Sequence, residues 1–129
     1  MMPILICTVL VAQRGSSQPQ VNVNGQVLAA RAILRKDRIQ VPMRAIFEAL
    51  GAHVQWIPEN RKVVAKKGRK TITMVMGEKF AYDPNPVVLD YPPTISNGHI
   101  MVPLRFVSES LGARVKWDSL RHTARVNTR

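Results

Sequence analysis

"VPMRAIFEALGAHVQW" (residues 41–56) and "VPLRFVSESLGARVKW" (residues 102–117) are one sentence written twice, 61 residues apart. Nine of the sixteen positions are identical: Val, Pro, Arg, Glu, Leu, Gly, Ala, Val and Trp, in the same order. Proline has a preset φ and suits the first helical position, and it pushes the residue before it into extended geometry. Each copy therefore predicts a strand handing over to a short helix, over 42–50 and 103–111, with Pro42 and Pro103 opening the first turn. Met43, Ile46, Phe47 and Leu50 fall on one face of the first helix; Leu104, Val107 and Leu111 do so on the second. Gly51 and Gly112 then stand where a left-handed residue stops a helix. Val54 and Trp56 alternate along the next strand, as do Val115 and Trp117, so each pair shares a face.

Arg44 and Glu48 are four apart, and so are Arg105 and Glu109. That spacing is the one for an intrahelical ion pair, so these charges read as structural. Trp56 and Trp117 invite a sugar-stacking reading. Because each shares a face with a valine, we read both as core and mostly buried.

The recurrence extends outward from the sentence. At the same offset Asn24 matches Asn85, Val27 matches Val88, Leu28 matches Leu89 and Ile39 matches Ile100. "VNVNGQVL" (21–28) alternates around Asn24-Gly25, a strong hairpin signal. "FAYDPNPVVLDYPP" (80–93) reads as a turn between edge strands. One unit is thus strand–strand–helix–strand–strand. The expected fold is α+β: an antiparallel sheet packed with two short helices, with a pseudo-twofold internal repeat. The domain is expected over 21–129, as repeats of about 21–81 and 82–129. The leader "MMPILICTVLVA" (1–12) has the length of a signal-peptide apolar region, and "QRGSSQPQ" (13–20) has the composition of a linker. With them goes an extracytoplasmic location and no stable membrane span in the mature form. The single cysteine, Cys7, lies in the leader and makes no internal disulfide.

The net charge is +11, which favours an anionic partner. "RKVVAKKGRK" (61–70) concentrates six cations and no acid. A strand pair there would present Arg61, Lys62, Lys66, Lys67, Arg69 and Lys70 along one edge, as the candidate site for an anionic polymer. Solvation of a sheet edge would also account for them.

The chain resembles the copper amine oxidase N-terminal-like, or stalk, domain. The resemblance is carried by "NGHIMVPLRFVSESLGARVKWD" (97–118) and "DRIQVPMRAIFEALGAHVQW" (37–56), and it covers about residues 21–128. Pro42, Arg44, Glu48, Gly51, Trp56, Pro103, Arg105, Glu109, Gly112 and Trp117 are its recurring positions. The first copy departs from it with Ile57 after the tryptophan, where the second has Asp118, and with Asp37-Arg38 in place of Asn97-Gly98. The resemblance implies an accessory domain remote from any catalytic centre. Oxidase chemistry needs three histidine copper ligands and a tyrosine-derived quinone. His53, His99 and His122 are scattered, and Ala81 precedes Tyr82-Asp83 where that cofactor's motif has asparagine. No catalytic, cofactor or metal residues are therefore expected. The leading reading is a non-catalytic binding module of the bacterial envelope that contacts anionic wall polymers or a partner protein. The alternatives are a basic nucleic-acid-binding domain, disfavoured because no aromatic residue interleaves with 61–70, and an accessory fragment of a longer secreted enzyme.

Overall fold

The structure, a computed structural model, describes residues 18–29, 31–36 and 38–128. The leader and most of the expected linker lie outside these residues. Thirteen strands and two helices make up the described fold. In chain order the first are β1 (Gln20–Val23), β2 (Gln26–Val27), β3 (Ile33–Arg35), β4 (Arg38–Pro42) and α1 (Met43–Ala49). Next come β5 (His53–Ile57), β6 (Lys62–Lys67), β7 (Lys70–Val75), β8 (Phe80–Asp83), β9 (Asn85–Val88) and β10 (Thr94–Ser96). The last are β11 (His99–Pro103), α2 (Leu104–Ser110), β12 (Arg114–Asp118) and β13 (Thr123–Asn127). The fold is α+β, as the sequence predicts, but its strands form three sheets rather than one: β12-β13-β1-β2, β10-β11-β4-β3 and β5-β6-β7-β8-β9.

The two copies of the repeated sentence meet in the middle sheet. β4 and β11 pair antiparallel with Val41 opposite Val102, Pro42 opposite Met101 and Gln40 opposite Pro103. Each residue thus faces the pairing partner that its own copy dictates. Both helices lie shorter than predicted, and both prolines sit one position outside them. Pro42 (φ −62°, ψ 135°) and Pro103 (φ −70°, ψ 125°) are extended N-cap residues that still belong to their strands. The helix stops are as predicted. The Gly51 N–H donates to Glu48 O (3.1 Å) and the Ala52 N–H to Phe47 O (2.8 Å). Gly112 and Ala113 repeat these bonds on Glu109 O (3.0 Å) and Ser108 O (2.9 Å). These are the two bonds of a Schellman ending, which needs a left-handed C′ residue; φ is +79° at Gly51 and +94° at Gly112.

One strand pair is parallel: β1 runs alongside β13, with Val21 opposite Ala124 and Val23 opposite Val126. The five-stranded sheet explains why. There β7 intervenes between β6 and β8, antiparallel to both, which leaves β6 and β8 pointing the same way. β13 and β1 hold the corresponding places 61 residues on, with no strand between them, so the same directions become a direct parallel contact. Between the sheets Ile46, Phe47, Val63, Ile72, Met74, Leu104, Val107 and Val126 form a single core with Val41 and Val102.

Candidate functional site

The six cations of 61–70 do not share one edge. β6 lies inside its sheet, flanked by β5 and β7. A strand advances about 3.3 Å per residue, so Arg61 and Lys62 are carried to the far end of β6 from Lys66. Lys66, Lys67, Arg69 and Lys70 stay together at the turn into β7, where Lys67 faces Lys70 across a two-residue loop. Lys70 reaches the second half of the molecule: its Nζ lies 3.6 Å from where a Cβ on Gly112 would stand.

Two residues beyond Gly112, β12 begins with Arg114, and Lys116 follows on the same face. Lys116 stands directly opposite Arg125 of β13. Like charges placed opposite each other destabilise a strand pair, so this arrangement works against the local fold. Asp118 relieves part of it. Its carboxylate accepts from the Arg121 backbone N–H (3.2 Å), the Arg121 guanidinium (3.3 Å) and the Arg125 guanidinium (3.1 Å). The backbone N–H bond, with the two guanidiniums, holds the Asp118 carboxyl below its ordinary value, against an opposing desolvation effect. Arg114 and Lys116 have no ion pair among the described residues. Sequence reading missed this group because Arg114, Lys116 and Arg125 are separated by neutral residues and by a turn. The strand alternation of β12 and β13 was its only signal.

The five-stranded sheet assembles a further feature that the sequence hides. Thr73 pairs with both Val64 and Tyr82, which puts Tyr82 on the face that carries Lys62 and Lys66. Phe80 shares that face and, like Tyr82, is exposed. The aromatics absent from the basic run in sequence are thus supplied by β8.

The repeated positions divide into structural and lining residues. Arg105 pairs with Glu109 at 2.9 Å on the exposed side of α2; Arg44 and Glu48 form no such pair among the described residues. Trp56 is half-buried, whereas Trp117 is 42% exposed, against the expectation of a mostly buried side chain. Trp117 stands opposite small Ala124 and meets His122 edge-on, with centroids 5.2 Å apart and planes at 73°. It opens onto a groove of about 830 Å³ that β4, α2, β12 and the 87–91 segment enclose.

The copper amine oxidase N-terminal domain family matches residues 21–126. The chain belongs to that family. A relative named protease inhibitor, from Brevibacillus choshinensis, is 35% identical over 98 residues, which are 74% of this chain and 30% of the relative. The chain therefore spans under a third of the length of that relative. The oxidase in the family's name finds no matching residues here. His53 is on β5, His99 on β11 and His122 in the turn before β13, one at each of three sheets. Among the described residues no three His, Cys, Asp or Glu side chains gather as a metal-binding group. A copper site does not fit this set, and Tyr82 has no such cluster beside it. Among the described residues no helix is long and apolar enough to cross a membrane.

Proposed function

We propose that this family domain is a non-catalytic accessory module of the bacterial cell envelope, working outside the cytoplasm, that holds an anionic polymer by charge. The observation that carries this reading is the junction at Lys70 and Gly112. It makes the turn cations Lys66, Lys67, Arg69 and Lys70 continuous with Arg114, Lys116 and Arg125 of the other half. A long polyanion meets positive charge from both repeats, and such binding is salt-sensitive and weakly sequence-specific. Arg61 and Lys62, at the far end of β6, are outside it.

Retention on purified anionic wall polymer across a salt series tests the reading. Serine at Lys66, Lys67, Arg69 and Lys70, or at Arg114, Lys116 and Arg125, should each lower retention. Serine at Arg61 and Lys62 should leave it almost unchanged. No retention at low salt, or equal retention of all three variants, overturns it. Stronger retention on single-stranded nucleic acid, lost in a Tyr82→Ala variant, selects the nucleic-acid reading instead, because Tyr82 and Phe80 share a face with Lys62 and Lys66. A partner-protein role is a second reading, favoured by the name of the 35% identical relative.

A further inference from the structure

The groove beside Trp117 has a counterpart in the other half of the chain, and the two differ in an informative way. Pro103, Leu104, Arg105, Glu109 and Trp117 line the first; Pro42, Met43, Arg44, Glu48 and Trp56, the same positions 61 residues earlier, line the second. The fold therefore makes this concavity twice. Where the second groove has buried Met101, the first has Gln40, and where the second has Ala45, the first has Phe106. Gln40 is only 1% exposed. Its Nε2 donates to Pro92 O at 3.3 Å, while its Oε1 has no partner among the described residues. A buried acceptor without a donor is unfavourable. Met101 shows that an apolar side chain serves at this position, so packing alone does not call for the amide.

Three features fix the chemistry that fits. Trp117 presents an indole face whose tilt is set by the edge contact with His122, and the negative face of an aromatic ring attracts C–H groups. The charges on the walls are already matched: Arg105 with Glu109, and Arg38 with Asp90. In a chain of net charge +11, this groove thus carries as many anions as cations, and an ionic ligand would have to break those pairs. Val88, 68% exposed, adds apolar surface at the rim. A pyranose ring has an apolar C–H face, hydroxyl donors around its edge and no charge. We infer that this groove binds a neutral pyranose unit of a glycan, stacked on Trp117, with a hydroxyl or amide N–H donated towards Gln40 Oε1. The site is separate from the cationic surface and does not depend on it.

Titration of the full chain with cellohexaose and with chitohexaose, followed by calorimetry and by tryptophan fluorescence, tests the inference. Saturable binding of at least one hexasaccharide is expected. Gln40→Met, which copies the residue the other half has there, should weaken it by about tenfold or more while leaving the melting curve two-state and close to the parent's. Trp117→Ala should abolish it, and Trp56→Phe should leave it unchanged. The Lys66/Lys67/Arg69/Lys70→Ser variant should bind the sugar as the parent does, so failure of the polyanion reading and failure of this one are told apart. Absence of saturable binding to both sugars, or parental affinity in Gln40→Met and Trp117→Ala, overturns the inference. So does saturation by an extended Val/Thr peptide but by neither sugar, which would assign the groove to strand docking beside β9.

Discussion

Val41 and Val102 lie directly opposite each other in the β4–β11 ladder, and each is the other's copy in the repeat. Both are fully buried. Truncating either to alanine should cost about 1–3 kcal/mol, the scale of a buried valine side chain, and the two costs should be similar. Because the residues touch, the double variant should depart from the sum by about 0.5 kcal/mol or more. Urea denaturation of the parent, the two single variants and the double variant measures this. Strict additivity, or a cost at one position only, would show that the copies are not energetically matched.

Phe47 and Trp117 should separate core from surface. Phe47 is 0% exposed, and Phe47→Ala should cost about 3–5 kcal/mol. Trp117 is 42% exposed, so Trp117→Ala should cost only roughly 1–2 kcal/mol, reflecting the part of the indole that is covered. Chemical denaturation of both variants checks the order, and a Trp117 cost equal to that of Phe47 would contradict the open groove.

Gly51→Ala and Gly112→Ala should each lose about 1–2 kcal/mol, since both positions hold a left-handed φ that a Cβ disfavours. The methyl group at residue 112 would meet Lys70 Nζ at 3.6 Å, an ordinary contact, and nothing stands near the one at residue 51. The two variants should therefore melt alike. If Gly112→Ala is much the worse, the packing of Lys70 against α2 is tighter than this distance implies.

Asp118 predicts a pH dependence of definite sign. Its carboxyl is held below the ordinary value of 3.8, first by the Arg121 backbone N–H. A depressed folded pKa means that the charged form stabilises the fold above 3.8 and that this contribution is lost as pH falls through the lower folded value. Asp118→Asn should be less stable than the parent at neutral pH, and the gap should close in acid below that value. Thermal melts of both proteins across an acid series measure it; a gap constant with pH would remove the carboxylate from the account.

What could be read from the sequence was what is local. The stops at Gly51 and Gly112 and the turn at Asn24-Gly25 are each decided by a few neighbouring dihedrals. Sequence separation hides the rest. Alternation assigns Trp117 to a face but says nothing of what lies over that face, because its neighbours across the groove come from β4 and the 87–91 segment. The run at 61–70 is contiguous only on paper: extended backbone carries Arg61 and Lys70 to opposite ends of their strands. The turn in the first copy also falls one residue earlier than the motif alignment suggests, with Lys36 at φ +44° between paired Arg35 and Arg38. The three-sheet arrangement and the parallel pair depend on β7, a strand whose place has no second copy among the described residues.

The parallel contact between β1 and β13 has a mechanical meaning. Gln20 stands beside Thr123 and Val23 beside Val126, so the two strands lie flush and point the same way. Tension applied between residue 20 and residue 127 would draw β1 towards its start and β13 towards its end. The strands would then slide past one another, and their shared hydrogen bonds would bear the load together rather than opening one at a time as in a peeled hairpin. Resistance to such a pull is set by the rate of forced rupture and not by equilibrium stability. A module clamped this way transmits force along a chain without first coming undone.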